Sequence, residues 1–153
     1  MSEVARSGWT QHAEQVLQDA GHRRGGARAA IIEVLGGEPC ALTPLDIEQR
    51  LRAAGDRPVS RASIYRVLEL LHEHGLVQRL EFGQGFAHYE AIDPGGEHHH
   101  HVVCRECGTV IPFDDRALER SLERLAERLD VAVDEHEVVL RGECAACAAG
   151  AAS

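Results

Sequence analysis

The chain has 153 residues, a length typical of one domain or two small ones, and its 44% of hydrophobic residues are enough for a core although only 4% are aromatic. It contains no run of 18 apolar residues, and its first residues lack the apolar core of a signal peptide. We therefore expect a cytoplasmic protein with no membrane partner. The net charge of −9 argues at first sight against binding to nucleic acid.

The acidic excess is confined to one half of the chain. Residues 1–80 contain ten Arg and ten Asp or Glu, whereas residues 81–153 contain six Arg and fifteen acidic residues. A neutral half that is rich in Arg is compatible with phosphate, and an acidic half that is rich in His is compatible with cations. The asymmetry predicts two modules with different partners.

Three short helices are predicted in the first module. Residues 9–20 and 27–36 have apolar residues at helical spacing, and glycine follows each of them. Thr43-Pro44 is typical of a helix start, with an N-cap followed by proline at the first helical position, and predicts a helix to about Ala54. The segment between the first two helices is basic and is either a solvated connector or a set of phosphate contacts, with candidates Arg23, Arg24 and Arg28.

A fourth helix is predicted from Ser60, its N-cap, to about Gly75. Arg61 and Tyr65 are four residues apart and therefore share a face, with Arg66 beside them. Two strand-like runs follow at residues 76–82 and 86–92, joined by a glycine-rich hairpin turn. This order predicts a winged helix-turn-helix in which the fourth helix enters the major groove. Its candidate DNA contacts are Ser60, Arg61, Ser63, Tyr65 and Arg66.

The second module begins after a predicted linker at residues 93–97 and contains two Cys-x-x-Cys pairs, 36 residues apart. Two such pairs supply the four sulfurs of a closed tetrahedral zinc site, whereas a disulfide or two unrelated thiol pairs explains the spacing less well. We expect a structural zinc site formed by Cys104, Cys107, Cys144 and Cys147. The fifth cysteine, Cys40, is expected to be a small buried hydrophobe.

Residues 98–101 are four consecutive histidines, and in an extended backbone their side chains alternate between two faces. One run can therefore supply two metal sites. The other four histidines that precede this run outside the wing are expected to face solvent: His12, His22, His72 and His74. Beyond the run we predict a strand at 109–113, a helix at 114–129, a strand at 131–141 and a disordered tail after Cys147. The helix has a leucine seam that is interpreted as core plus dimer contact.

Taken in order, these motifs resemble the ferric uptake regulator family, the metal-sensing bacterial repressors. The resemblance covers about residues 10–147 and rests on the segments 63–68, 75–77, 89–90, 98–108 and 142–147. It implies an α+β fold with an N-terminal winged helix-turn-helix DNA-binding domain (residues 1–92) and a C-terminal α/β dimerisation domain (residues 98–153). It also implies a homodimer that binds a pseudo-palindromic operator in double-stranded DNA.

The resemblance implies three ligand sets. The structural zinc set matches the four cysteines of the two pairs. A regulatory site in the dimerisation domain matches His98, His100, Glu119 and His136, and a hinge site matches Glu90, His99 and His101. The family's usual hinge histidine is absent where Cys40 and Ala41 stand, and a usual acid is replaced by Pro112. His88 shares a strand face with Glu90 and is a candidate replacement ligand, with a polar wing residue as the alternative and Cys40 also open.

The resemblance implies a metal-dependent transcriptional repressor of metal homeostasis genes, with zinc or iron as co-repressor and no small-molecule substrate. Imidazole-rich sites suit several metals, so the sensed metal stays open. One alternative is a zinc deaminase, since His88-Tyr89-Glu90 followed by Cys104 and Cys107 is similar to a deaminase signature, although Val103 stands where proline is expected. The other alternative is a zinc-stabilised interaction module without sensing.

Overall fold

The structure, a computed structural model of the chain, describes residues 3–55 and 57–151 and divides into two compact units, Met1–Glu97 and His98–Ser153. None of the helices in these ranges combines the length and the apolar character that a membrane span requires.

The first unit contains four helices followed by a two-stranded hairpin. They are α1 (Glu3–Asp19), α2 (Gly26–Gly37), α3 (Pro44–Ala53), α4 (Arg61–Glu73), β1 (Val77–Glu81) and β2 (Ala87–Ala91). The α3 start is a complete capping box, because the Asp46 N–H donates to Thr43 Oγ1 (3.1 Å) and the Thr43 N–H donates to Asp46 Oδ2 (2.9 Å). Helix α1 begins six residues before the predicted Trp9, because its polar first turns carry no apolar spacing.

The core of the first unit lies among the four helices and is closed by the hairpin. Its fully buried side chains include Trp9, Ile31, Ile47 and Ile64. The Trp9 indole N–H donates to the Leu76 carbonyl (3.0 Å), so the largest core residue also holds the start of the hairpin. Burial of these side chains fixes which face of each helix is left for function.

The hairpin forms as predicted, with β1 antiparallel to β2 and Leu80 opposite His88. Gly83 and Gly85 in its turn have φ values of +79° and +84°, a conformation that side chains rarely adopt. An isolated antiparallel bridge joins Leu42 to Tyr89, so the segment before α3 runs beside β2. This bridge adds a third extended segment to the hairpin.

The second unit is a three-stranded sheet with two helices. Its elements are β3 (His100–Cys104), β4 (Val110–Phe113), α5 (Arg116–Leu129), β5 (Val139–Gly142) and α6 (Ala145–Ala151). The central strand β3 pairs antiparallel with β4 and parallel with β5, with Cys104 opposite Gly142. Helix α5 is capped by Asp115, whose Oδ1 accepts from the backbone N–H groups of Ala117 (2.7 Å) and Leu118 (2.9 Å).

Three expectations for this unit were wrong. The strand predicted at 131–141 is confined to Val139–Gly142, because the charged residues before it make no strand pairs in the described part of the chain. The tail expected to be disordered is helical to Ala151, as its alanine content favours, and the last two residues lie outside the described ranges. Although all of α5 is described, none of its residues is buried, so the expectation that its leucine seam is core was wrong, while the dimer contact stays a prediction.

Candidate metal centres and DNA-binding surface

The four predicted zinc cysteines converge in the second unit. Cys104 ends β3, and Cys107 lies in the turn that follows, while Cys144 precedes α6 and Cys147 lies in its first turn. The Sγ atoms of Cys104 and Cys147 are 3.8 Å apart, as are those of Cys107 and Cys144, and all four sulfurs lie within 4.8 Å of one another. All four are described, and none forms a disulfide.

This spacing fits one tetrahedral zinc ion. Sulfur ligands at about 2.3 Å from zinc, arranged at tetrahedral angles, are about 3.8 Å apart. Parallel pairing of β3 with β5 explains the convergence, because it places Gly142, just before the second cysteine pair, opposite Cys104. The residues present therefore fit the structural zinc that their spacing predicts.

Neighbouring hydrogen-bonding groups shift the pKa values of three of the four thiols, Cys104, Cys107 and Cys147. Backbone N–H groups of Cys107 and Cys144 lower the pKa of the Cys104 thiol to about 6, and hydrogen bonds with Thr109 lower the pKa of Cys107. The neighbouring Cys144 and Cys107 thiols raise the pKa of Cys147 well above its ordinary value. The Cys104 thiolate is thus favoured before any cation is present, and a dication would relieve the cost of ionising Cys147.

The predicted regulatory set of the dimerisation domain also converges, entirely within the second unit. His100 Nε2 lies 2.6 Å from Glu119 Oε1, and His136 Nε2 lies 2.9 Å from Glu119 Oε2. His98 Nε2 lies 3.2 Å from His136 Nε2. The Val138 N–H donates to His100 Nδ1 (3.3 Å), which orients the buried ring with Nε2 towards Glu119.

Three imidazoles and one carboxylate are a donor set that suits Zn²⁺ and Fe²⁺. Each of the four residues offers one donor atom, and these atoms lie within 4.8 Å of one another. The hydrogen bond with His100 lowers the pKa of the Glu119 carboxyl, which keeps it ionised as a ligand must be. The second donor set therefore fits a divalent cation independently of the thiols.

The histidine run alternates as expected in the second unit. The rings of His98 and His100 are 5.3 Å apart, and those of His99 and His101 are 4.9 Å apart. The first pair belongs to the set with Glu119, whereas the second pair offers ring nitrogens within 4.8 Å of each other on the opposite side of the strand.

The hinge candidates in the first unit lie along β2. A Glu90 carboxylate oxygen and Cys40 Sγ lie within 4.8 Å of each other, and Gln78 Nε2 donates to Glu90 Oε2 (3.0 Å). His88 is not a member of the donor group that contains Glu90 among the described residues; its ring packs against Phe82 (4.8 Å between centroids) and Phe86 (5.4 Å). Cys40 is half-buried and lies beside the Glu90 carboxylate. The interpretation of Cys40 as a small buried hydrophobe did not predict this polar neighbour.

The fourth helix presents the residues predicted to contact DNA. Ile64 and Leu68 are buried, while Arg61, Tyr65 and Arg66 are exposed on the opposite side. Ser60 caps the helix, since its Oγ accepts from the Ser63 N–H (3.2 Å), and the two hydroxyls are 2.9 Å apart. An exposed Tyr flanked by two Arg is a surface suited to a DNA groove.

Two of the candidate arginines pair with acidic residues that no sequence motif singles out. Glu48 of α3 accepts from Arg61 Nη2 (2.9 Å) and Nε (3.2 Å), and this hydrogen bond lowers the pKa of the Glu48 carboxyl. Glu14 of α1 pairs with Arg24. Arg61 and Glu48 are 13 residues apart and on different helices, so only the fold brings them together.

The remaining basic candidates are Arg23, in the loop before α2, and Arg28, in the first turn of α2. Arg28 donates to the backbone carbonyls of Arg23 and His22, the latter at 3.4 Å, and Arg23 is exposed. Gly25 at the N-cap of α2 provides no side-chain cap. Arg28 thus shapes the loop that carries the other arginines.

Two histidines expected to face solvent contact each other instead. His22, after α1, and His74, at the C-cap of α4, are both half-buried, and their Nε2 atoms are 3.3 Å apart. No sequence signal links two single histidines that are 52 residues apart.

Known proteins share both sequence and fold with this chain. The pattern of the ferric uptake regulator family matches residues 19–141. The ferric uptake regulation protein of Vibrio anguillarum is 34% identical over 132 residues, which cover 86% of this chain and 87% of that protein. The protein of the same name from Neisseria meningitidis serogroup A is 33% identical over 135 residues, or 87% of this chain and 91% of that one.

Among solved structures, the Vibrio cholerae ferric uptake regulator matches with a TM-score of 0.73 and 32% identity over 85% of this chain and 98% of that one. A Helicobacter pylori ferric uptake regulator matches with a TM-score of 0.80 over 94% of this chain and 93% of that one, and at 22% identity it supports the fold alone. These neighbours have DNA-binding and dimerisation domains, which confirms the predicted fold class.

Proteins of this family are dimeric DNA-binding regulators and not enzymes, which excludes the deaminase alternative. The match extends over most of the chain and includes both units. The chain belongs to the ferric uptake regulator family of metal-responsive transcription regulators.

Proposed function

We propose that the protein is a cytoplasmic homodimeric repressor that binds a pseudo-palindromic operator when zinc or iron occupies its regulatory sites. The observation that carries this proposal is the convergence of His98, His100, Glu119 and His136 in a unit that already contains four converging cysteines. A structural module needs only the closed thiol set, whereas a second donor set that is rich in imidazole suits an exchangeable ion.

The two units take different roles in this proposal. Residues 1–92 bind DNA through α4, residues 93–97 are the hinge, and residues 98–153 hold metal and dimerise. Tyr65 and Arg66 contact base edges, and Ser60, Ser63 and the arginines of the loop before α2 contact phosphates. The Cys cluster holds a structural zinc, whose binding free energy contributes to folding of the second unit.

Dimerisation is supported by the apolar surface of the second unit. Leu125 and Leu129 of α5 and Ile111 and Leu140 of the sheet are all exposed in the single chain. Side chains of this kind at helical and strand spacing are ordinarily covered, and a second copy of the same surface covers them in a two-fold dimer.

The regulatory step is assigned to the hinge candidates. Glu90 precedes residues 93–97, and His99 and His101 follow them, with Cys40 or His88 as a further ligand. A cation held by residues on both sides of the hinge restricts the relation of the two domains, whereas one held within the second domain stabilises that domain. A ligand shifts a conformational equilibrium only by its differential affinity for the two states, so the hinge set is the switch.

The test is operator binding by the full-length dimer, titrated separately with buffered free Zn²⁺ and Fe²⁺. His99→Ala and Glu90→Ala are expected to abolish metal-dependent binding, while His136→Ala and Glu119→Ala raise the metal concentration required. His12→Ala, an exposed histidine of α1, is the control and should behave as the unchanged protein. Full metal-dependent binding in His99→Ala together with its loss in His136→Ala would assign the switch to the other site. Operator binding that depends on neither metal would favour the alternative, a zinc-stabilised interaction module without sensing.

A further inference from the structure

The contact between His22 and His74 lies outside every site assigned so far. Both residues belong to the first unit, and their Nε2 atoms are 3.3 Å apart. The ring centroids are 5.3 Å apart and the ring planes are nearly perpendicular, at 81°, so the rings meet at their Nε2 corners and do not stack. Two imidazoles in this arrangement are either a single hydrogen bond or two ligands of one metal ion.

The distance fits a shared metal. Nitrogen ligands at about 2.0–2.1 Å from zinc, arranged at tetrahedral angles, are about 3.3–3.4 Å apart. The same chain contains a second example of the geometry, because His98 and His136 in the candidate regulatory site have Nε2 atoms 3.2 Å apart and ring planes at 86°. The His22–His74 pair therefore has the same geometry as the His98–His136 pair, which already belongs to a candidate metal site.

The surroundings allow an ion to reach the two imidazoles and to complete its coordination with water. His22 lines a surface cleft together with Gln18 and with Glu14, whose carboxylate already pairs with Arg24 of the same cleft. Both histidines are half-buried rather than enclosed, so water can supply the remaining ligands. Neutral imidazole with oxygen donors suits Zn²⁺, Ni²⁺ and Cu²⁺ better than Mg²⁺ or Ca²⁺.

We propose that His22 and His74 form an additional binding site for a divalent transition-metal ion within the DNA-binding unit. The site links the loop after α1, which also carries Arg23 and Arg24, to the C-terminal end of α4. An ion bound there would hold the C-terminal end of α4 to the loop after α1. At ten times its dissociation constant, an ion that binds only the folded unit multiplies the folding equilibrium constant about elevenfold.

The proposal does not depend on which site switches DNA binding, and its test measures metal directly. Full-length protein is dialysed to equilibrium against buffered Zn²⁺, and bound zinc per chain is measured. His22→Gln and His74→Gln, which retain a side chain able to form a hydrogen bond, should each bind one equivalent less than the unchanged protein. His12→Gln is the matched control, because this histidine is exposed on α1 of the same unit, and it should lose none.

Imidazole nitrogen NMR gives a second measurement that needs no substitution. In the unchanged protein the Nε2 signals of His22 and His74 should shift together as zinc is added, and in His22→Gln the His74 signal should no longer respond. Circular dichroism and retention of the cysteine-bound zinc check that the variants are folded. Equal zinc content in all proteins, or Nε2 signals of the pair that stay fixed while the other sites fill, would reduce the contact to a hydrogen bond and overturn the proposal.

Discussion

Neutralising Glu48 should strengthen DNA binding, because its carboxylate competes with DNA phosphate for Arg61. Oε2 of Glu48 accepts hydrogen bonds from both Nε and Nη2 of Arg61, and Oε1 accepts one from Nη2 of Arg52 at 3.0 Å. The substitution Glu48→Gln keeps the shape of the side chain and one acceptor oxygen but removes the charge. Arg61, and at most Arg52 as well, then becomes available to a phosphate.

The magnitude follows from counterion release. Each additional phosphate neutralised steepens the salt dependence of the binding constant by a logarithmic slope of about 0.9. Between 50 and 200 mM salt, one freed arginine therefore adds a roughly 3.5-fold loss of affinity and two add a roughly 12-fold loss. At low salt Glu48→Gln should bind both operator and unrelated DNA more tightly, with a smaller preference for the operator.

The assay is DNA binding as a function of salt, measured with operator and with unrelated duplex at saturating metal. Glu33→Gln is the matched control, since Glu33 is exposed on α2 and forms no ion pair within the described residues while its substitution changes the net charge equally. A slope for Glu48→Gln that equals the slope for Glu33→Gln would refute the idea that Glu48 restrains an arginine at the DNA surface.

Four further outcomes are expected. Cys144→Ser should lose the zinc and much of the fold of the second unit, and a folded, dimeric, zinc-free variant would contradict this. Tyr65→Ala should lose preference for the operator while retaining its metal content, and unchanged operator affinity would show that α4 is not the reading helix. Thr43→Ala should destabilise the first unit by about 1 kcal/mol through loss of the capping box. Urea unfolding measures this, with Thr43→Ser, which retains the cap, as the control. Leu125→Glu should shift sedimentation towards the monomer, and an unchanged dimer would place the interface elsewhere.

Features encoded by neighbouring residues were predictable from the sequence. Thr43 and Ser60 start helices through their own side chains, which accept from the backbone N–H three residues on, and the alternation of residues 98–101 follows from strand geometry alone. The paired cysteines were predictable because zinc chemistry restricts the spacing within each pair.

Features that depend on chain crossings were not predictable. Cys40 lies near Glu90 because the Leu42–Tyr89 bridge aligns two segments almost fifty residues apart, and no local pattern announces that bridge. The His22–His74 contact and the ion pair of Glu48 likewise join residues on different elements. The leucine periodicity of α5 was correct, but periodicity reports an apolar face without saying whether the same chain or a second copy covers it.

The parallel pairing of β3 with β5 has a consequence for the order of events during synthesis. The central strand acquires its second neighbour only when residues 139–142 arrive, after more than thirty intervening residues that include the whole of α5. Cys104 and Cys107 are therefore made well before the thiols that complete their set, and closing so long a loop is slow. The first unit, whose core is complete by Tyr89, can fold on the ribosome while the second still waits. Nascent chains of this protein should pass through a stage with a folded N-terminal unit and two thiols open to capture by zinc from the cell or by oxidants.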